Sequence, residues 1–387
     1  MIDPEEFFAT PLSTSRLKYK ILNRYFREYF HKINQHYKSR AVVADLFAGK
    51  GRFDSGEEGS PIILANYAKI ARDIYGYKNK VILSEKIPKI RGELFENIRE
   101  FVIDDIVTLI DGDAKDAGEN LLKEIPESIP LFVLLDPFGI KGLSMDLLKK
   151  ILARAKTGSV EILINFNHLA LRRVLGKIKN VGTCKSAKLI LDEVLGGDWW
   201  EEIYQGTDNY ESETDAIIGE YIRRFESFIP HIGILPVTKG FPDENIRYHL
   251  IFGTKNLVAF ELMNNSMKNA YDALSVEITR NNYAETLFSG IDQKDLIPSK
   301  YKINIKDLSL IVYEELRAYF AGIFTRLEIR TRMIKKYFAK YESSDYNKAI
   351  KLLYQDDRIL KIGRQNKISD TTDLILSDQY YEHKIKD

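Results

Sequence analysis

The sequence predicts an α/β fold: five parallel strands closed by an antiparallel hairpin, followed by a small helical module. Three observations predict it. From residue 41 to 166, short wholly apolar runs alternate with amphipathic helical stretches, the pattern of strands buried on both faces between covering helices. Two later β-rich runs are separated by a polar turn too short for a crossover helix. Beyond residue 303 the texture changes to three helices and two short strands.

The elements follow in order. Residues 15–33 carry one apolar stripe, Leu17, Ile21, Tyr25, Phe26, Phe30 and Ile33, which makes them an amphipathic helix. Arg16, Lys18, Lys20, Arg24, Arg27 and Lys32 fill much of the remaining surface, as a solvated basic face or as a cover for an anionic groove. Strands are expected at 41–47, 80–85, near Asp111, at 130–136 and at 159–166. Ser60 as cap and Pro61 in the first turn open a helix over 61–75. Residues 168–230 read as a helical insertion, and 232–238 with 246–254 as a hairpin around Gly240, Pro242 and Asp243. This layout is that of a Rossmann-like class I methyltransferase sheet. The last segment reads as a winged helix, so the expected division is an N-terminal basic helical segment at 1–40, a methyltransferase-like domain at 41–300 and a winged-helix domain at 301–387.

Composition excludes more than it identifies. The 387 residues carry a net charge of +1, so overall charge names no partner. The single cysteine, Cys184, permits neither an internal disulfide nor a thiolate metal site. His231 and His249 lack ligand spacing, so no metal is expected. An acidic start without an apolar signal region, and no apolar run of about 18 residues, point to a cytoplasmic protein.

The stretch VVADLFAGKGRF at 42–53 frames the functional question. A P-loop needs a lysine directly after its last glycine, whereas Lys50 sits between Gly49 and Gly51. A nicotinamide fingerprint needs a third glycine where Asp54 stands. The reading left is an S-adenosylmethionine site. Asp45 ends the first strand and accepts a hydrogen bond near the amino acid part of the cofactor. Phe47 and Ala48 follow, and Gly49 and Gly51 allow close backbone approach. Glu85 ends the second strand, where a carboxylate holds the ribose hydroxyls, and Asp113 follows the third, within reach of the adenine amine. Ligands of open α/β sheets collect at these strand ends. The competing reading is that Glu85 and Asp113 only start turns or cap helices.

The fourth strand ends in Asp136, Pro137, Phe138 and Gly139. A carboxylate and a backbone carbonyl there can accept both N–H bonds of an exocyclic amine and turn its lone pair toward a methyl group. Pro137 stiffens the turn, and Phe138 offers a stacking face for a flipped base. Asn165 and Phe166 end the fifth strand as candidate pocket walls, and Lys50 is left either facing solvent or meeting a substrate phosphate. A covalent cysteine mechanism lacks its nucleophile, because Cys184 lies far from the fourth strand.

The order KYKILNRYF, ADLFAGKGRF, EGSPIILA, LLDPFG, ILINF, LGGDWW and YHLIFGT resembles the three-Cys-motif partner (TcmP) family over residues 12 to 275. The resemblance implies a methyltransferase-like fold, the cofactor role for Asp45, Gly49, Gly51 and Glu85, a substrate-side role for Asp136 to Gly139, and a partner protein bearing three cysteines. The DPFG segment is also similar to that of tRNA guanine-N2 dimethyltransferases. Residues 301–387 hold 17 Lys and Arg against 13 Asp and Glu, so nucleic acid is the expected partner of this module, through Arg326, Arg330, Arg332, Lys335, Lys336, Arg364 and Lys367. Two functions therefore stand: an N-methyltransferase acting on a nucleic-acid base, or a weakly catalytic or non-catalytic regulator that binds nucleic acid and a three-cysteine protein.

Overall fold

The computed structural model describes residues 13–38, 40–156, 158–179, 181–205, 210–238, 245–284, 303–363 and 367–384. The chain divides into two compact units, Met1–Phe260 and Glu261–Asp387. The first begins with α1 (Ser13–Tyr37), β1 (Val42–Asp45), α2 (Ser60–Tyr75), β2 (Lys80–Glu85), α3 (Pro88–Ile103) and β3 (Val107–Asp111). It continues with α4 (Ala114–Glu124), β4 (Leu131–Leu135), α5 (Met145–Ala153) and β5 (Val160–Phe166). Helices α6 (His168–Gly176), α7 (Val181–Leu195), α8 (Trp200–Ile203) and α9 (Tyr210–Glu226) form the insertion before β6 (His231–Thr238) and β7 (Ile246–Thr254). Helix α10 (Leu257–Ala284) carries the chain into the second unit.

The sheet order is β3-β2-β1-β4-β5-β7-β6. Strands β1 to β5 pair in parallel, and β7 runs antiparallel to both β5 and β6. This is the Rossmann-like sheet of class I methyltransferases, as the sequence predicts. The strand order reverses between β1 and β4, so their C-terminal ends open the crevice in which such sheets bind ligands. The turn with Gly240, Pro242 and Asp243 lies outside the described residues, as do the first twelve residues of the N-terminal segment. No helix among the described residues is long and apolar enough to cross a membrane.

Alternation along the strands sorts the two faces. Val133 and Leu135 join the apolar cluster shared with α5, α6, α7 and α9. Trp200 is buried in that cluster, and its indole N–H donates to Asp192 at 2.8 Å. Phe132, on the opposite face, meets α1, its ring 5.7 Å from Tyr25 and 5.0 Å from Phe26. Burying such a side chain stabilises the fold by roughly 1.5–3 kcal/mol, so α1 is bound to the sheet by its aromatic stripe.

A carboxyl lies within this aromatic layer. Glu161 is 1% exposed, and the Tyr25 hydroxyl donates to it. Burial raises its pKa to about 8, against the partial opposition of that hydrogen bond. An acid whose folded value is raised loses its contribution to stability as pH rises from the unfolded value, 4.5, through about 8. Glu161→Gln is therefore expected to gain stability over the wild type across that window, by several kcal/mol at its upper end. Urea denaturation at pH 5 and pH 8.5 checks this, because the wild type should weaken between them by more than Glu161→Gln does.

The second unit contains α11 (Ile305–Tyr319), β8 (Phe324–Thr325), α12 (Arg326–Lys336), α13 (Ser343–Gln355), β9 (Ile359–Lys361), β10 (Asp373–Leu376) and α14 (Ser377–Lys384). Its antiparallel sheet has the order β8-β10-β9. Val312, Leu316, Met333, Tyr346, Ile350 and Leu374 are buried within it. The three helices and the last two strands follow the sequence pattern. Strand β8, of two residues, is too short to show a period. It leads directly into the capping box in which Thr325 and Glu328 satisfy each other's backbone N–H groups at the start of α12.

Candidate active site

The crevice is built from the strand ends upward. Asp45 closes β1 and is fully buried. Its Oδ1 accepts the Phe47 N–H at 3.1 Å, while Oδ2 is buried with no hydrogen-bond partner. Burial raises the Asp45 pKa to about 6; the nearby Ser60 hydroxyl opposes the rise and the Asp136 charge adds to it. The loop that follows doubles back at Gly49 and Gly51, with φ of 64° and 80°, values that favour glycine. At Gly51 a Cβ would also come 3.0 Å from Leu94.

Glu85 ties this loop to β2. Its Oε2 accepts the Gly49 N–H at 3.0 Å and its Oε1 the Ile87 N–H at 2.8 Å. Ala48 N–H donates to the Ser84 carbonyl at 3.0 Å. The Phe47 ring lies against the loop after β4, where a Cβ on Gly142 would approach it to 3.1 Å. Asp113 is the N-cap of α4: its Oδ1 accepts from Lys115 and Asp116, both at 3.2 Å, and Lys86 stands 3.4 Å from Oδ2. Those backbone donors hold its pKa low. Lys50 is not directed to solvent. It is buried, paired with Asp54, and 3.9 Å from Glu93.

Asp136 lies just beyond β4. Its Oδ2 takes an ion pair from Lys18 of α1, and its Oδ1 accepts the Asn165 amide N–H at 2.6 Å. The Lys18 ammonium also sits 4.7 Å from the Tyr19 ring centre. Burial alone would lower the Lys18 pKa, but Asp136 overrides it and the net shift is upward. Tyr248 of β7 is buried beside this pair, and burial raises its hydroxyl pKa. Pro137 is buried and Phe138 is 55% exposed. Gly139 has room for a Cβ, whose nearest neighbour would be Ala170 at 3.7 Å.

Of the two residues expected at the end of β5, only Asn165 joins this cluster. Phe166 is fully buried on the other face, 4.8 Å from the Tyr221 ring, because consecutive strand residues point to opposite sides. By its charge, Lys18 belongs with the basic outer surface of its helix. The structure buries it. The spacing carries the signal: Lys18, Leu22, Tyr25 and Tyr29 recur at helical period, and all four are buried.

The basic residues of the second unit separate likewise. Arg330 is 5% exposed and donates to Asp370 at 2.7 and 2.9 Å, to Glu261 at 2.8 Å and to Asn347 at 3.1 Å. It is a core contact rather than a groove-facing cation, a correction to the sequence expectation. Arg326 donates to Asp370 at 2.8 Å, and Arg332 donates to Glu315 at 2.7 Å while stacking on Tyr319. Lys336 pairs with Glu315. Lys335 and Lys367 are exposed, and Arg364 lies outside the described residues. Arg330→Met is expected to destabilise the second unit by roughly 1–3 kcal/mol, because it leaves Glu261 without its ion pair and Asp370 with Arg326 alone. Chemical denaturation of the full chain should show the loss, and an unchanged midpoint would remove Arg330 from the core.

No protein-family model matches the chain, and no curated protein does. Among solved structures, the chain is similar to protein LPL1258 from Legionella pneumophila, at 10% identity and a TM-score of 0.39, over 68% of this chain and 92% of that one. It is also similar to the N-terminal domain of human METTL16 in complex with SAH, at 10% identity and a TM-score of 0.30, over 64% of this chain and 72% of that one. With TM-scores below 0.5, neither likeness bears on the chemistry of this chain, which is read from its own residues.

Proposed function

We propose that the protein is an S-adenosylmethionine-dependent methyltransferase acting on nucleic acid, with an exocyclic amine of a base as acceptor. The observation that carries the cofactor is the orphaned Oδ2 of Asp45, a buried carboxylate oxygen without a donor. A buried acceptor left unmet costs about 1–3 kcal/mol. The ammonium of the cofactor's amino acid part would meet that need. Glu85 keeps further lone pairs on both oxygens for the ribose hydroxyls, and Asp113, capping α4 at the next strand end, would take the adenine side. When bound, the cofactor supplies an electrophilic methyl on a sulfonium. The residues of this chain do the rest. Asp45 and Glu85 fix the cofactor, the Asp136 cluster orients the acceptor, and exposed Phe138 stacks the base beside it.

The second unit reads as a winged helix, with β9 and β10 as the wing. Among the basic residues expected there, Lys335 and Lys367 are exposed, which supports a phosphate-backbone role. The likeness to the three-Cys-motif partner family adds a three-cysteine protein as a candidate partner. The activity test is transfer of labelled methyl groups from S-adenosylmethionine to total RNA and to total DNA, each digested to nucleosides. Label on a base amine supports the reading. Absence of label in both pools, with cofactor bound, sinks it in favour of the binding regulator.

A further inference from the structure

Asn165 and Asp136 differ in what they leave available. Asp136 is neutralised by a buried ammonium and holds the Asn165 amide through its other oxygen. Asn165 spends its NH2 group on Asp136, yet its Oδ1 is buried and has no hydrogen-bond donor. Buried polar atoms without partners are rare in native folds and call for an explanation. Here the orphan lies at the C-terminal end of β5, beside the residues that would present the acceptor.

We infer that Asn165 Oδ1 is the group that receives the acceptor N–H, and that Asp136 and Lys18 are positioning residues behind it. This rests on the methyltransferase reading above. The chain runs from the Lys18 ammonium to the Asp136 carboxylate, then to the Asn165 amide, and from its carbonyl to the substrate. A carboxylate accepting from one end of an amide polarises the other, so Oδ1 becomes a stronger acceptor. In the transfer, the nitrogen lone pair forms the N–C bond as the C–S bond breaks. The sulfur would leave as a neutral thioether, and the extra proton on nitrogen would leave to solvent. Positive charge builds on the nitrogen meanwhile, and the Asn165 carbonyl dipole faces it. Asp136, already paired with Lys18, has little net charge to offer, but it fixes the rotamer and the direction of the amide.

The test compares Asn165→Ala, Lys18→Arg and the charge-free pair Lys18→Met with Asp136→Asn. Each is measured for binding of S-adenosylhomocysteine by calorimetry and for kcat and KM of methyl transfer to total RNA and total DNA. Asn165→Ala is expected to lower kcat about 100-fold, the scale of losing one preorganised polar contact, with S-adenosylhomocysteine binding retained. Lys18→Arg and the charge-free pair should each stay within about tenfold of wild type, because an amide or carboxylate at 136 still holds Asn165. The inference is overturned if Asn165→Ala keeps near-wild-type kcat while the charge-free pair loses transfer, because Asp136 then receives the acceptor itself. A wild type that binds S-adenosylhomocysteine but labels neither pool overturns the functional reading, and this inference falls with it.

Discussion

Asp45→Asn is expected to weaken S-adenosylmethionine binding by about 2–4 kcal/mol, the scale of losing one partner of a buried charged pair. The substitution keeps the shape of the strand end and its hydrogen bond from Phe47. It removes the charge that would face the cofactor's ammonium. The same reasoning gives a pH dependence. In the free protein the Asp45 pKa is raised to about 6, so below that pH a proton competes with the cofactor. Affinity should fall as pH drops through 6 in the wild type and stay nearly flat in Asp45→Asn. The sign for stability is opposite. An acid raised from 3.8 to about 6 stabilises the free fold less as pH rises through that interval, and bound cofactor should restore the difference. Calorimetry at pH 5 and pH 7.5 checks the first point. Equal affinities at both pH values would detach Asp45 from the cofactor.

The second large effect concerns the ion pair beneath the acceptor site. Lys18 and Asp136 have side chains only 5% and 15% exposed. Replacing either alone leaves the other charge buried without its partner, at a cost of about 3–5 kcal/mol. Lys18→Met and Asp136→Asn should each lower the unfolding midpoint sharply, and the two together should recover most of the loss. A thermal or urea double-mutant cycle measures this coupling. Additive losses would mean that the two groups do not depend on each other. One practical consequence is that Asp136→Ala tests catalysis poorly, because lost activity would be confounded with lost fold.

Much of the fold was legible because buried parallel strands announce themselves as short apolar runs. The reversal at β7 was legible from the length of its turn. The loop at Gly49 and Gly51 and the acidic strand ends at Asp45, Glu85 and Asp136 were likewise readable, since their positions follow from strand boundaries alone. What escaped depends on orientation. The charge of Lys18 argues for solvent with the outer cations of α1, yet its spacing from Leu22 and Tyr25 places it on the buried stripe. Phe166 and Asn165 are neighbours in sequence, and only the pleat decides which one faces the crevice. Arg330 reads as a surface cation in sequence because its partners Glu261 and Asp370 lie 69 and 40 positions away along the chain. Long-range pairing of that kind leaves no local pattern.

Asp45 and Glu85 are proposed to hold S-adenosylmethionine at the strand ends. The most direct test is a crystal structure of the full chain grown with S-adenosylhomocysteine. The ligand's ammonium should lie on Asp45 Oδ2, its ribose hydroxyls on Glu85 and its sulfur turned toward Asp136 and Asn165. A ligand bound elsewhere, or a crevice still without ligand at saturating concentration, would contradict it.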